Sequence, residues 1–275
     1  MNDDRVGGHA LYSASGAVRL TASMARCFQS IRTAHPCRRG AGRLSYDGVA
    51  HAVLMATPDD LEDFAFGFTY TEGIITEPAE IAELAVVSVP DGIVLRMWLT
   101  GARSGAFAAR RRRFVGPAGC GMCGLESLAE ANRAIPLVSC DLQVSRQGIA
   151  EAVAAMPARQ QLNRQTRAVH AAAFWRPGRE LVLREDVGRH NALDKLAGAL
   201  LHTGQSAALG IIVLSSRISI ALVQKAGMIG ATVIVGVSAP TALAVRTAES
   251  IGLTLVGIAR DDGFEVFTHP ERITR

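Results

Sequence analysis

The sequence predicts an α/β protein: a C-terminal three-layer α/β/α domain preceded by a smaller mixed α+β domain. Three observations point there. From Leu181 to Ile258, apolar β-branched runs alternate with helical stretches, the pattern of a largely parallel sheet covered on both faces. Before them, short strand-like runs flank the turns Tyr46-Asp47-Gly48 and Pro90-Asp91-Gly92, which suits antiparallel pairing. With 275 residues, 49% of them apolar, the chain can bury a sizeable core in one large or two moderate domains.

Residues 1–21 are rich in Gly, Ser and Ala with weak periodicity and read as a loose arm. The N-terminal domain is placed at 22–135 and the C-terminal domain at 136–275. Thr57-Pro58-Asp59-Asp60 predicts a helix start, with a capping hydroxyl, proline in the first position and acids in the first turn. Leu61, Phe64, Ala65 and Phe68 then share one helical face, with Gly73 near the end. Ala85 to Val89 and Ile93 to Leu99 read as strands. In the C-terminal half, strands are expected at Leu181 to Leu183, Gly210 to Leu214, Thr232 to Val237 and Leu253 to Ile258. Helices are expected at Asn191 to Leu201, Ile218 to Met228 and Pro240 to Ile251.

Composition narrows the functional class. The net charge of +4 is modest and much of it lies in Arg110 to Arg113, favouring a local anion or acidic-partner site over nucleic acid. Five cysteines spread over the chain make no disulfide framework, so a reducing cytoplasm is expected. No secretory signal is read at the N-terminus. Ala226 to Val245 carries no charge, yet Gly227, Gly230, Gly236, Ser238 and Pro240 interrupt it. It reads as helix end, strand and helix start, not as a membrane span.

The chemistry concentrates in Gly119-Cys120-Gly121-Met122-Cys123-Gly124, just after the four arginines. Nearby cations lower a thiol's pKa and favour the reactive thiolate. Zinc would need a second half-site, and Cys27, Cys37 and Cys140 lack the spacing. A redox pair normally follows a strand at a helix start. Persulfide carriage, or two cysteines buried in a Gly-rich turn, are the other readings. A second polar concentration, Arg184 to Asn191, lies between strand and helix; Glu185, Asp186 and His190 could cap and pair locally, or face a ligand and move protons. His170 could equally be a core histidine. The strand-end rule for such sheets also selects Ser215-Ser216-Arg217, Ser238-Ala239-Pro240 and Arg260-Asp261-Asp262-Gly263.

At these residues the chain resembles the formate dehydrogenase accessory sulfurtransferase family. The matching segments are Tyr70 to Ile75, Cys120 to Gly124, Glu185 to Lys195, Ser238 to Thr241 with Leu243 to Val245, and Thr268 to Arg272. The resemblance implies a sulfurtransferase that takes sulfur from a cysteine desulfurase as a persulfide. It then passes the sulfur to the molybdenum bis(molybdopterin guanine dinucleotide) cofactor destined for formate dehydrogenase. By the same resemblance Cys120 bears the persulfide and Cys123 assists or resolves it. Ile258, Ala259, Arg260, Asp261, Asp262 and Gly263 match the cofactor-binding loop, with Arg217, Glu185, Asp186 and His190 beside it. A cytidine-deaminase-like C-terminal fold, a homodimer and pockets that accept guanine nucleotides such as GDP are further implications. No metal site, nucleic acid or membrane partner is expected. A non-catalytic chaperone that binds and inserts the cofactor is the alternative. Three places depart from the family pattern: Arg167 and Ala168 where two glycines are usual, Ser216 where glycine is favoured, and Ala221 near an expected glutamate. The deaminase zinc signature is missing from the sequence, so deamination is not expected.

Overall fold

The computed structural model describes residues 40–111, 135–260 and 263–275, all within one compact unit, His35–Arg275. The arm at 1–21, Arg112, Arg113, Cys120, Cys123, Asp261 and Asp262 lie outside the described residues.

The first sheet has four strands in the order β2-β1-β4-β3. They are β1 (Gly40–Tyr46), β2 (Val49–Ala56), β3 (Ile81–Val89) and β4 (Gly92–Leu99). Asp47 and Gly48 turn the first hairpin with both φ angles positive, 51° and 79°, the backbone that Asp-Gly provides in a tight antiparallel turn. Leu44, Tyr46, Leu95 and Met97 bury one face against α1 (Leu61–Thr71), whose Phe64, Ala65 and Phe68 fill the same core. Helix α2 (Gly101–Arg111) adds Phe107, edge-on to Tyr46.

The helix start at Thr57 needs correction. The helix begins at Leu61, and Asp60 caps it with φ 53° and no side-chain bond. Thr57 is instead buried: its N–H donates to Asp186, its hydroxyl accepts from the Val187 N–H, and its carbonyl accepts from Lys195. Those partners are more than 125 residues away in sequence, beyond the reach of a local capping rule.

The second sheet has six strands in the order β11-β10-β9-β8-β6-β7. In chain order they are β6 (His170–Trp175), β7 (Val182–Asp186), β8 (Ile211–Leu214), β9 (Val233–Gly236), β10 (Thr254–Arg260) and β11 (Gly263–Val266). β8, β9 and β10 pair in parallel, whereas β6 is antiparallel to both neighbours and β11 to β10. The sheet is therefore mixed and not largely parallel. Hairpins supply the antiparallel members, β6-β7 and β10-β11, at the two edges.

Helices α5 (Arg189–Thr203), α6 (Ile220–Met228) and α7 (Ala242–Ile251) cover one face through Leu193, Leu196, Leu222, Val223, Ala244 and Ala248. Helix α3 (Arg146–Arg159) covers the other through Ile149, Ala152 and Met156. Helix α4 (Gln161–Thr166) follows it. The three-layer arrangement thus holds for this half. A small parallel pair, β5 (Val144–Ser145) with β12 (Ile273–Thr274), ties the C-terminal strand to the start of α3.

Helices α1 and α5 join the two sheets. Gly67 lies so near α5 that an added Cβ would collide with the Asp194 carbonyl, and Gly198 stands likewise against the Asp63 carbonyl. Glycine at both positions is what lets the backbones meet.

Candidate functional site

Strand directions place the expected loops together. β7 runs antiparallel to β6, and β6 antiparallel to β8, so β7, β8, β9 and β10 all point the same way. Their carboxyl ends form one edge, where α/β sheets bind ligands. β6 starts at that edge with His170, and β11 starts there with Gly263.

Backbone bonds lace these loops in order. The Ser215 N–H donates to the Ala171 carbonyl, and the Ala171 N–H to the Ser215 hydroxyl at 2.7 Å. The Val237 N–H donates to Leu214, Thr241 to Ile218, and Ile258 to Ser238. Ile258 has φ 52° at a break in the β10-β11 register. A left-handed conformation is unfavourable for a β-branched residue, and such strain concentrates where function needs a particular backbone. Arg217 and Arg260 are exposed at this edge, Ile258 is half-buried and Ala259 is buried.

Not every expected residue faces solvent. Asp186 is 0% exposed; its carboxylate accepts from the N–H groups of Thr57 and Gly188 and from the Asn191 amide, and pairs with Lys195 at 2.7 Å. Glu185 accepts the N–H groups of Leu162 and Asn163, capping α4. In this chain both carboxylates are spent on holding the loop. His190 is half-buried with its Nε2 3.3 Å from the Ser219 hydroxyl. Burial, helped by Arg189 and Lys225 and opposed by Glu72, pushes its pKa down to about 4. His170 is also lowered, by burial and then by Arg189. Two neutral imidazoles therefore share this edge at pH 7.

One cluster was not read from the sequence. Lys225 of α6 donates to Glu72 at 2.8 Å, to Asp194 of α5 at 2.9 Å and to the Thr71 hydroxyl at 3.1 Å. Thr71 also donates to Asp194 at 2.6 Å. Burial opposes the Lys225 charge, but Asp194 and Glu72 outweigh it and hold its pKa above the usual lysine value. Burial raises the Asp194 pKa, while Lys225 and Thr71 pull it back. The advance signals were a lysine in a largely apolar helical run, which needs a partner wherever it is buried, and the presence of Thr71, Glu72 and Asp194 in the segments that match the family.

The departures from the family pattern are absorbed locally. Arg167 has φ 54° as the C-cap of α4, a conformation that glycine adopts without cost. Ser216 is buried and donates its hydroxyl to the Arg217 carbonyl. Ala221 is half-buried on α6. Among the described residues no group of three or more His, Cys, Asp or Glu could hold a metal ion. No helix of the described residues is long and apolar enough to cross a membrane.

Comparison with known proteins agrees with this architecture. The chain is 50% identical over 231 residues to the sulfur carrier protein FdhD of Agrobacterium fabrum, covering 83% of this chain and 85% of that protein. It is 49% identical over 232 residues to the protein of the same name from Brucella abortus, covering 84% and 86%. Its fold matches the crystal structure of a protein assigned as a formate dehydrogenase accessory protein from Desulfotalea psychrophila. That match has a TM-score of 0.67 and 26% identity over 88% of this chain and 91% of the other. The FdhD/NarQ family model matches residues 41–274, and the chain belongs to that family.

Proposed function

We propose that this protein is a sulfur carrier that receives sulfur from a cysteine desulfurase on Cys120. It then delivers the sulfur to the molybdenum bis(molybdopterin guanine dinucleotide) cofactor before formate dehydrogenase takes it up. The observation that carries this reading is the close relationship to proteins named sulfur carrier protein, with Cys120-Gly121-Met122-Cys123 in a sequence so similar to theirs. The setting is a cytoplasmic homodimer.

In the loading step, the Cys120 thiolate attacks the outer sulfur of the desulfurase persulfide. That S–S bond breaks and the donor cysteine leaves as thiolate. In the release step, the Cys123 thiolate attacks the inner sulfur of the Cys120 persulfide, so hydrosulfide departs and a Cys120–Cys123 disulfide remains. A dithiol reductant resets the pair.

The cofactor, as cargo, would lie on the carboxyl edge of the six-stranded sheet. Arg217 and Arg260 are exposed there to meet phosphates bidentately, beside Ile258 to Gly263. Neutral His190, with its Nε2 engaged by the Ser219 hydroxyl, leaves Nδ1 to a guanine edge or to a proton in transit. Glu185 and Asp186 act indirectly, by fixing the loop that carries His190.

The test is mass spectrometry of the Cys120 peptide after incubation with a desulfurase and cysteine. An adduct of about 32 Da, lost on reduction, is expected in the natural chain and in Cys123→Ala. It should be missing from Cys120→Ala, which should also fail to support formate dehydrogenase. Guanine-nucleotide binding without any adduct would favour the chaperone reading.

A further inference from the structure

Strand β7 forms the outer edge of the six-stranded sheet. An edge strand offers unpaired N–H and C=O groups along one side, and proteins usually blunt it with a bulge, proline or free charge. β11, at the opposite edge, pairs through a register break. β7 has none: its five residues pair one for one with β6, from Asp186 opposite His170 to Val182 opposite Phe174. Its charges are also neutralised. Arg184 donates to Asp63 and approaches Asp60, and Glu185 is taken by the two α4 N–H groups.

A groove of about 990 Å³ runs along this edge, with Leu181 to Glu185 as one continuous wall and Asp60, Gln161 and Gln205 among the others. At the hairpin end stand Arg176 and Arg179, which have no carboxylate partner among the described residues. The other two arginines of the lining are paired, Arg159 with Glu180 and Arg184 with Asp63. Asp59, also in the lining, has no cationic partner among the described residues, so the free positive charge is confined to the β6-β7 hairpin.

We propose that this groove is a docking site for an extended segment of a partner protein. The segment adds to β7 as a further strand and sets acidic side chains over Arg176 and Arg179. The Leu183 carbonyl already accepts from the Arg184 guanidinium at 2.9 Å; main-chain bonds to the remaining edge groups would supply affinity, and the two arginines would fix register. A second copy of the chain fits less well. Centred antiparallel pairing of two β7 strands would set Arg176 and Arg179 of each copy beside the Asp186 end of the other, where Asp186 is 0% exposed and already paired with Lys195, so neither arginine would gain an acidic partner. Because β7 leads at Asp186 into the His190 loop, a bound segment would be continuous with the site edge. The inference rests on the β7 geometry and not on the sulfur-carrier reading, so either can fail alone.

Hydrogen exchange by NMR on the full chain tests it. The probe is a peptide of about ten residues alternating threonine and valine, with glutamates at one end; a lysine-ended version is the control. Without peptide, the β7 amides that face outward should exchange freely while those facing β6 stay protected. The glutamate peptide should protect the outward set, and the double variant Arg176→Glu/Arg179→Glu should weaken it about tenfold or more. Cys120→Ala should bind as the natural chain does. Failure of the glutamate peptide to protect β7 at millimolar concentration, or equal binding of both peptides, overturns the proposal. So does outward protection that rises with protein concentration alone, which would assign the edge to a second copy.

Discussion

His190 is the residue whose chemistry is most changed by its surroundings. Gly188-Arg189-His190-Asn191 supplies only the Arg189 cation; burial, the larger cause, and Lys225 act on the ring only after folding. The unfolded chain keeps an ordinary imidazole near 6.5, and the folded chain holds it near 4. As pH falls, the unfolded state therefore binds the proton first and gains stability on the fold. The loss should begin near pH 6.5, level off below about 4 and amount to about 3 kcal/mol at most. NMR titration of the ring should show the low midpoint, and His190→Gln should flatten this part of the urea-stability profile against pH. Lys225→Met should move the midpoint upward, because it removes a cation and leaves Glu72 and Asp194 behind. An unshifted midpoint near 6.5 in the natural chain would contradict the account.

Among the elements, those with local causes were legible. The Asp47-Gly48 hairpin, α1 with its Phe64 and Phe68 face, and the β8-to-β10 alternation follow from turn chemistry and periodicity within short windows. Long-range causes were not legible. Thr57 looked like a cap and became an anchor for Asp186 and Lys195. β6 was missed because alanine at 171–173 shows no strand pattern until neighbours bury it. At the site, the loop segments were foreseen, whereas Glu185 and Asp186 proved to be internal supports and the Lys225 cluster needed three helices to assemble. The α1-α5 crossing, resting on Gly67 and Gly198, is such a tertiary effect and can be tested. Alanine in a helix gains about 1 kcal/mol over glycine, yet at Gly67 the new methyl would meet backbone that cannot swing aside. Overpacking of that kind costs about 1–3 kcal/mol, so Gly67→Ala should lower the urea midpoint. Gly105→Ala, on α2 with open space around it, should raise it. If both substitutions stabilise, the close helix crossing is wrong.

At the scale of the molecule, the two sheets should unfold together. The sequence suggested a boundary near residue 135, because antiparallel strands give way there to βα alternation. The polar bonds that cross between the halves argue for strong coupling. Lys195 is 0% exposed and joins Asp186 to the Thr57 carbonyl. Lys225 joins α6 and α5 to the end of α1. Separating the halves would leave Lys195 with Asp186 and Lys225 with Asp194, but it would strip Lys195 and Asp186 of Thr57, and Lys225 of Glu72 and Thr71; a buried polar group that loses its partner costs about 1–3 kcal/mol. Several such losses together are a large share of the roughly 5–15 kcal/mol that holds an ordinary domain folded. The chain's two tryptophans provide separate reporters, since Trp98 lies on β4 of the first sheet and Trp175 on β6 of the second. In Trp175→Phe and Trp98→Phe, fluorescence should follow a single urea transition after correction for each variant's own stability shift. Thr57→Val keeps the backbone bonds and removes the hydroxyl that accepts from Val187, so it should lower both transitions together. A first transition seen by one tryptophan alone would mean that the halves are separate folding units, joined by α1 and α5 only in the native state.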